Sequence, residues 1–270
     1  MDATRDEITE GNVLLTLADG IGHIRMNRPD AANGMSVEML HDFYTAIMRC
    51  HGSTGLRAVV ITGAGKNFSA GGDIHAFYSK GKQLPAYIRE ATAWLQDSMQ
   101  ALMRLEAPVI AAVQGFATGG GGFGLVCAVD LVIAAENAKF LAGATKVGMT
   151  PDGGTTVTLP GIVGQRKAME ILLLNPTMSA AEARDLGIVN RIVPAAELEE
   201  AAFALAREIA AGPPMAQAAL KRLLRNGNGL PVEACFTEEA RTVAELSGTN
   251  DALEGLASMI ERRPVNFTGT

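Results

Sequence analysis

Two glycine-rich segments, each following a run of apolar residues, are the places in this sequence where main-chain atoms could do chemistry. The first, Lys66-Asn-Phe-Ser-Ala-Gly-Gly-Asp-Ile74, has small residues at Ala70, Gly71 and Gly72. They let a ligand approach the main chain closely, and an amide there can donate to an oxygen that gains charge during a reaction. A strand-to-helix turn needs glycine for steric reasons too, so this segment alone fits either use. The second, Gln114-Gly-Phe-Ala-Thr-Gly-Gly-Gly-Gly122, opens a helix with successive glycines. Each costs about 0.5–1 kcal/mol relative to alanine, so something other than stability requires them. A helix N-terminus with free amides and a positive dipole end suits an oxyanion. The Gly-x-x-x-x-Gly-Lys-Ser/Thr pattern of a nucleotide phosphate loop is missing. A carboxylate, Asp152, stands in Thr150-Pro-Asp-Gly-Gly154. Proline before it and two glycines after it form a tight turn that can aim a side chain inward, and Pro-Asp-Gly is equally an ordinary surface turn.

The other reactive residue types point away from metal, redox and nucleic-acid chemistry. Cys50, Cys127 and Cys235 are far apart and sit in apolar periodic segments, which reads as reduced buried thiols. His23, His41, His51 and His75 lack the mutual spacing of metal ligands, so no metal is expected. No dinucleotide fingerprint is present, and no cofactor is expected. The net charge of −6 comes without a Lys/Arg-rich block that could neutralise a nucleic-acid backbone. No apolar run approaches the ~18 residues of a membrane span. Residues 1–10 carry four acidic residues and no apolar or Arg-rich targeting pattern, which predicts a cytoplasmic protein.

The elements that must position these groups follow from periodicity. Residues 12–18 and 21–27 are β-type runs joined by Asp19-Gly20, a hairpin with a type I′ turn. Ser36 precedes Met39, Leu40, Phe43 and Ile47 at helical spacing, a capped amphipathic helix. Residues 58–62, 109–113 and 131–134 are short β-rich runs, buried strands separated by a helix at 88–105. Strand and helix alternating in this way implies a parallel sheet covered by helices, with ligands at the carboxyl ends of the strands. Both glycine segments fall at such ends. From about Gly164 the pattern becomes helical: 165–174, a capping box at Ser179 and Glu182, then 196–211, 215–226, 231–246 and 252–262. Residues 78–85 read as a soft, mobile loop. The expected organisation is an α/β core over residues 1–195 and a helical subdomain over 196–270.

Taken together, Asn27-Arg-Pro29, Ile61-Thr-Gly63, Phe68-Ser-Ala-Gly-Gly-Asp73, Pro108-Val-Ile-Ala-Ala-Val-Gln-Gly115, Ala117-Thr-Gly-Gly-Gly121 and Gly148-Met-Thr-Pro-Asp152 occur in the order and spacing of the crotonase superfamily. The chain resembles the enoyl-CoA hydratase/isomerase family from about residue 11 to its end. The resemblance implies a spiral of ββα units, a homotrimer or a hexamer built as a dimer of trimers, and a coenzyme-A thioester bound across the two glycine loops. It implies that the amides of Ala70 and Gly120 form an oxyanion hole that stabilises an enolate. It also implies that Arg28, Ala32, Ala70, Asp73 and Ile74 line the CoA site, and that Arg262 and Phe267 belong to a C-terminal element closing over CoA.

The sequence departs from the hydratases of that family at two decisive positions. Where they place two glutamates that deliver water and a proton, this chain has Phe123 and Ala144, and neither titrates. Hydration needs an acid/base pair, so ordinary hydratase chemistry is disfavoured. Asp152 matches the acidic position of dienoyl-CoA isomerases, of the epoxyphenylacetyl-CoA isomerase of phenylacetate breakdown and of 4-chlorobenzoyl-CoA dehalogenase. The tail Arg263-Pro-Val-Asn-Phe-Thr-Gly269 is similar to the second of these, and Ala144 replaces a tryptophan of the dehalogenase. One carboxylate suffices for a 1,3-proton shift. The expected activity is double-bond isomerisation with Asp152 as acid/base, in a pocket of Phe123, Ala142, Ala144 and Val147 whose burial raises its pKa. A binding-only homologue and other crotonase chemistry are the alternatives.

Overall fold

The computed structural model describes residues 7–270, so most of the acidic segment from which localisation was read, residues 1–6, lies outside it. Strands β1 (Val13–Ala18) and β2 (Ile21–Met26) form the hairpin. Its two turn residues, Asp19 and Gly20, have φ of 52° and 75°, as a type I′ turn demands. Helix α1 (Val37–Gly52) starts at Ser36, whose hydroxyl accepts the Met39 amide at 3.3 Å, and buries Met39, Leu40, Phe43 and Ile47. Strand β3 (Ala58–Gly63) runs parallel to β2. Helices α2 (Ile74–Ser79) and α3 (Leu84–Arg104) then lead to β4 (Val109–Val113), parallel to β3.

Next come β5 (Phe116–Thr118), a π-helical turn at Gly120–Gly124, α4 (Leu125–Ala128), β6 (Leu131–Ala135) and β7 (Lys139–Leu141). After them lie α5 (Thr155–Val163), α6 (Gln165–Leu174), β8 (Met178–Ser179), α7 (Ala180–Asp185) and β9 (Arg191–Val193). Helices α8 (Leu198–Ala210), α9 (Pro214–Gly227), α10 (Val232–Leu246) and α11 (Asn250–Glu261) complete the chain. The main sheet has the order β1-β2-β3-β4-β6-β9, antiparallel only between β1 and β2, and β5-β7-β8 form a second small sheet.

The central strands are buried on both faces, which is why they read as unbroken apolar runs. On β3, Val59 and Ile61 pack into the cluster that contains α1 and α3, while Ala58 and Val60 pack with Leu198, Ala202, Leu205 and Ala206 of α8. Helix α8 is therefore half of the sheet's covering, and the division expected at 195/196 runs through packed core. Strands β8 and β9 lie beyond Gly164, where only helix was expected; two and three residues are too few to show a period against the helices around them. Residues 78–85 are not an open loop either. They comprise the end of α2, a 3-10 turn at Gly81–Gln83 and the first turn of α3, where Pro85 needs no amide partner. The capping box is present: the Ser179 hydroxyl accepts the Glu182 amide and the Glu182 carboxylate accepts the Ser179 amide. Among the described residues no helix is long and apolar enough to cross a membrane.

Candidate active site

The two glycine segments follow β3 and β4 and lie against each other. Ser69 pairs with Ala117 as a parallel bridge, with Thr118 N donating to Ser69 O at 2.9 Å and Ser69 N to Phe116 O at 3.0 Å. Gly71 has φ of 83°, and a side chain there would run into the Thr118 carbonyl. Only glycine lets the loops approach so closely.

The amides of the first loop are then counted out by their partners. Ala70 N donates to Ala32 O at 2.9 Å, Gly71 N to the Ser69 hydroxyl at 3.2 Å and Asp73 N to Met35 O at 3.4 Å. Gly72 N has no acceptor among the described residues, and it lies 3.7 Å from the point where a Gly119 Cβ would stand. This corrects the assignment of the first donor: the Ala70 amide is spent inside the protein, and the free one belongs to Gly72. Sequence gives no means of knowing which of three adjacent amides is already bonded. Gly120 opens the π-helical turn, and its amide, like any in a first helical turn, lacks an intrahelical partner.

Asp152 reaches this place from the turn before α5. Its carboxylate lies against Gly120, so closely that a side chain there would overlap it, and Gly153, at φ 58°, packs on Gly120 from the same turn. The turn is held by Thr155, whose amide and hydroxyl both donate to Asp152 O, at 3.1 and 2.7 Å. Burial pushes the carboxyl above its ordinary value, and a backbone hydrogen bond opposes this. Val147, expected from sequence to line its pocket, is half exposed, and Leu95 of α3 places Cδ2 3.2 Å from the same Gly120 Cβ position. The helical period of 88–105 put Leu95 on a buried face without saying what that face meets. Phe123 is wholly buried in the core, and Ala144 opens a 3-10 turn, Ala144–Val147.

Arg28, Ala32, Ala70, Asp73 and Ile74 do come together around the first loop. Arg28 pairs with Asp73 at 3.2 Å, and Asp73 caps α2 by accepting the Ala76 amide at 2.9 Å. Burial would raise the Asp73 carboxyl; the Ala76 amide and the Arg28 guanidinium outweigh it and hold it below its ordinary value. Ala70 and Ile74 expose their side chains beside this pair.

Arg262 and Phe267 are not with them in the same chain. Arg262 ends α11 in the left-handed conformation at φ 56°. The Phe267 ring packs near Gly255 of α11, and its carbonyl accepts from Arg57, the residue before β3, at 3.4 Å. Asp251 fixes the tail by accepting the Thr268 and Gly269 amides at 2.7 and 2.9 Å. The tail thus lies at the amino end of the sheet, about 20 Å, one strand length, from the glycine loops. A cavity of about 350 Å³ lined by Arg57, Glu106, Pro108, Pro214, Gln217 and Thr268 lies at that same far end. Among the described residues no group of three His, Cys, Asp or Glu could hold a metal ion.

Known proteins resemble this chain in sequence and in fold. Residues 16–270 match the family described as Enoyl-CoA hydratase/isomerase. The chain is 35% identical to a Rhodobacter capsulatus protein named "Probable enoyl-CoA hydratase", over 94% of this chain and 96% of that one. It is 33% identical to 4-chlorobenzoyl coenzyme A dehalogenase-2 of an Arthrobacter species, over 88% of this chain and 87% of that one. The crystal structure of an enoyl-CoA hydratase from Bacillus anthracis superposes with a TM-score of 0.90 at 31% identity, covering 96% of this chain and all (100%) of the other. A match across nearly the whole length, on the fold whose two strand ends carry the paired glycine loops, makes this chain a member of the enoyl-CoA hydratase/isomerase family, with the crotonase fold.

Proposed function

We propose that the protein is an acyl-CoA double-bond isomerase. The observation that carries this reading is the Asp152 carboxyl, lodged against Gly120 beside an unpartnered amide pair, with no second titratable group in the positions where hydratases carry glutamates. The amides of Gly72 and Gly120 hold the thioester oxygen. Asp152 removes the α-proton of a 3-enoyl-CoA, and the electron pair moves through the carbonyl to give a dienolate whose oxygen the two amides stabilise. Asp152 then returns the proton to the γ-carbon, the double bond moves into conjugation, and no water enters the product. Each backbone donor of this kind contributes about 3–4 kcal/mol to lowering such a barrier. CoA enters as part of the substrate and no separate cofactor is used. In its Asp152 position and its tail motif the chain resembles the epoxyphenylacetyl-CoA type of isomerase.

The test is a panel of 2-enoyl-, 3-enoyl- and arylacetyl-CoA thioesters followed by absorbance and mass spectrometry. A 3-enoyl thioester should give a 2-enoyl product of unchanged mass. Gain of one water would establish hydration instead, and binding without turnover would make the protein an acyl-CoA-binding homologue.

The assembly is proposed to be a trimer or a dimer of trimers. The apolar face of α8 is covered by the sheet, but Leu220, Leu224, Phe236, Leu256, Met259 and Ile260 on α9 to α11 are exposed. Such a surface on one subunit calls for a partner. Light scattering at micromolar concentration should give three or six chains; a monomer would sink this assembly.

A further inference from the structure

Asp152 has an unusual set of neighbours for a carboxylate. The π-helical turn and α5 packed against it carry no ionisable side chain. The ionisable side chains of α3 are Tyr87, Arg89, Glu90, Asp97 and Arg104, and Lys146 lies on the preceding turn; burial, opposed by a backbone hydrogen bond, is what moves Asp152. A methyl group of α3 shares the space beside it. Leu95 Cδ2 and Asp152 Cγ lie 3.2 and 2.8 Å from the same point, the Cβ position that Gly120 leaves empty. Leu95 is 5% exposed and anchored in the core through the buried face of α3, with Ala91, Met99 and Leu102. The carboxyl and the Leu95 methyl group thus both border the small space over the bare Cα of Gly120.

We infer that Leu95 is a positioning residue: it excludes water from the Asp152 carboxyl and holds it against Gly120, so that α3 makes this group a competent base. A hydrated carboxylate is a weak base near neutral pH, and removing its water favours the protonated form. Leu95 acts only through Asp152, and its catalytic consequence rests on the isomerase reading above. Its effect on ionisation does not.

The two are separated by titrating the intact protein, labelled with carboxyl-¹³C aspartate, by NMR; the Asp152 signal is the one lost in Asp152→Asn. Wild type should titrate above the ordinary aspartate value. Leu95→Ala should lower the midpoint by roughly half a pH unit or more, a fraction of what full burial can impose. Leu95→Met, which restores the apolar contact, should titrate like wild type, and the acid limb of any turnover should move with these midpoints. If Leu95→Ala does not fold, Leu95→Val withdraws the same methyl with a smaller cavity and should shift in the same direction. An unchanged midpoint in the folded alanine or valine variant overturns the inference. A shifted midpoint in a protein that turns over no enoyl-CoA leaves it standing and removes the isomerase reading instead.

Discussion

Asp152→Asn should lower conversion of a 3-enoyl- to a 2-enoyl-CoA by at least ~10²-fold, the usual scale for loss of a general base, with little change in thioester affinity. Asparagine keeps the size of the side chain and forms turns as readily, and the Thr155 bonds that shape this turn go to the Asp152 main-chain oxygen, which the substitution leaves in place. The variant should therefore fold normally. Steady-state kinetics together with calorimetry of acetyl-CoA binding in EDTA reads both halves of this expectation, and wild-type turnover by the variant would remove Asp152 from the chemistry. The wild-type pH profile provides a second check. The base works deprotonated, and burial raises its value above the 3.8 of an ordinary aspartate, so activity should fall away with acid at a pH above that value. Stability runs the other way with pH. A raised folded-state value contributes stability that is fully present below the unfolded value and lost as pH rises through the folded one. At neutral pH the asparagine variant should thus be at least as resistant to denaturant as wild type, which a purely structural aspartate would not allow.

The sequence disclosed this fold well where local pattern and tertiary role agree. The hairpin turn at Asp19-Gly20, the Ser36 and Ser179 caps and the doubly buried strands are set by short-range chemistry, and the structure has each of them. It disclosed less where a role is decided by what lies across the molecule. The helical period of residues 198–210 is plain, yet nothing in it tells that Ala202, Leu205 and Ala206 cover Ala58 and Val60 rather than a second subunit. Strands as short as β5, β7, β8 and β9 borrow their existence from their partners and have too few residues to show a period.

The site divides along the same line. The glycine loops and the carboxylate stand out because residue type carries their chemistry, whereas Arg28 and Asp73 are reached only through the family resemblance. The choice between the Ala70 and Gly72 amides was not legible, because it turns on a hydrogen bond to Ala32 across a separate turn. Where the tail docks was not legible for a related reason: motif order says what a segment resembles, whereas Asp251 and Arg57 decide where it lies within this chain.

Gly120→Ala should cost as much activity as removing the base, although alanine keeps the N–H that the thioester oxygen would use. The new methyl group would overlap the Asp152 carboxylate and stand 3.2 Å from Leu95 Cδ2, so the carboxyl has to leave its place. Displacing a reacting group by about 1 Å can cost ~10²-fold in rate. Alanine is otherwise the better helix former by about 0.5–1 kcal/mol, so the turn Gly120–Gly124 should still form and thermal unfolding should show a folded protein. Gly120→Pro would instead take away the donor, and comparing the two separates the need for an amide from the need for space. If the alanine acts by moving the carboxyl, its penalty should largely vanish in the Asp152→Asn background, because residues in direct contact do not contribute additively. Full activity in Gly120→Ala would mean that the carboxylate does not work from this position, and an undiminished penalty in the double variant would place the damage in the oxyanion hole rather than at the base.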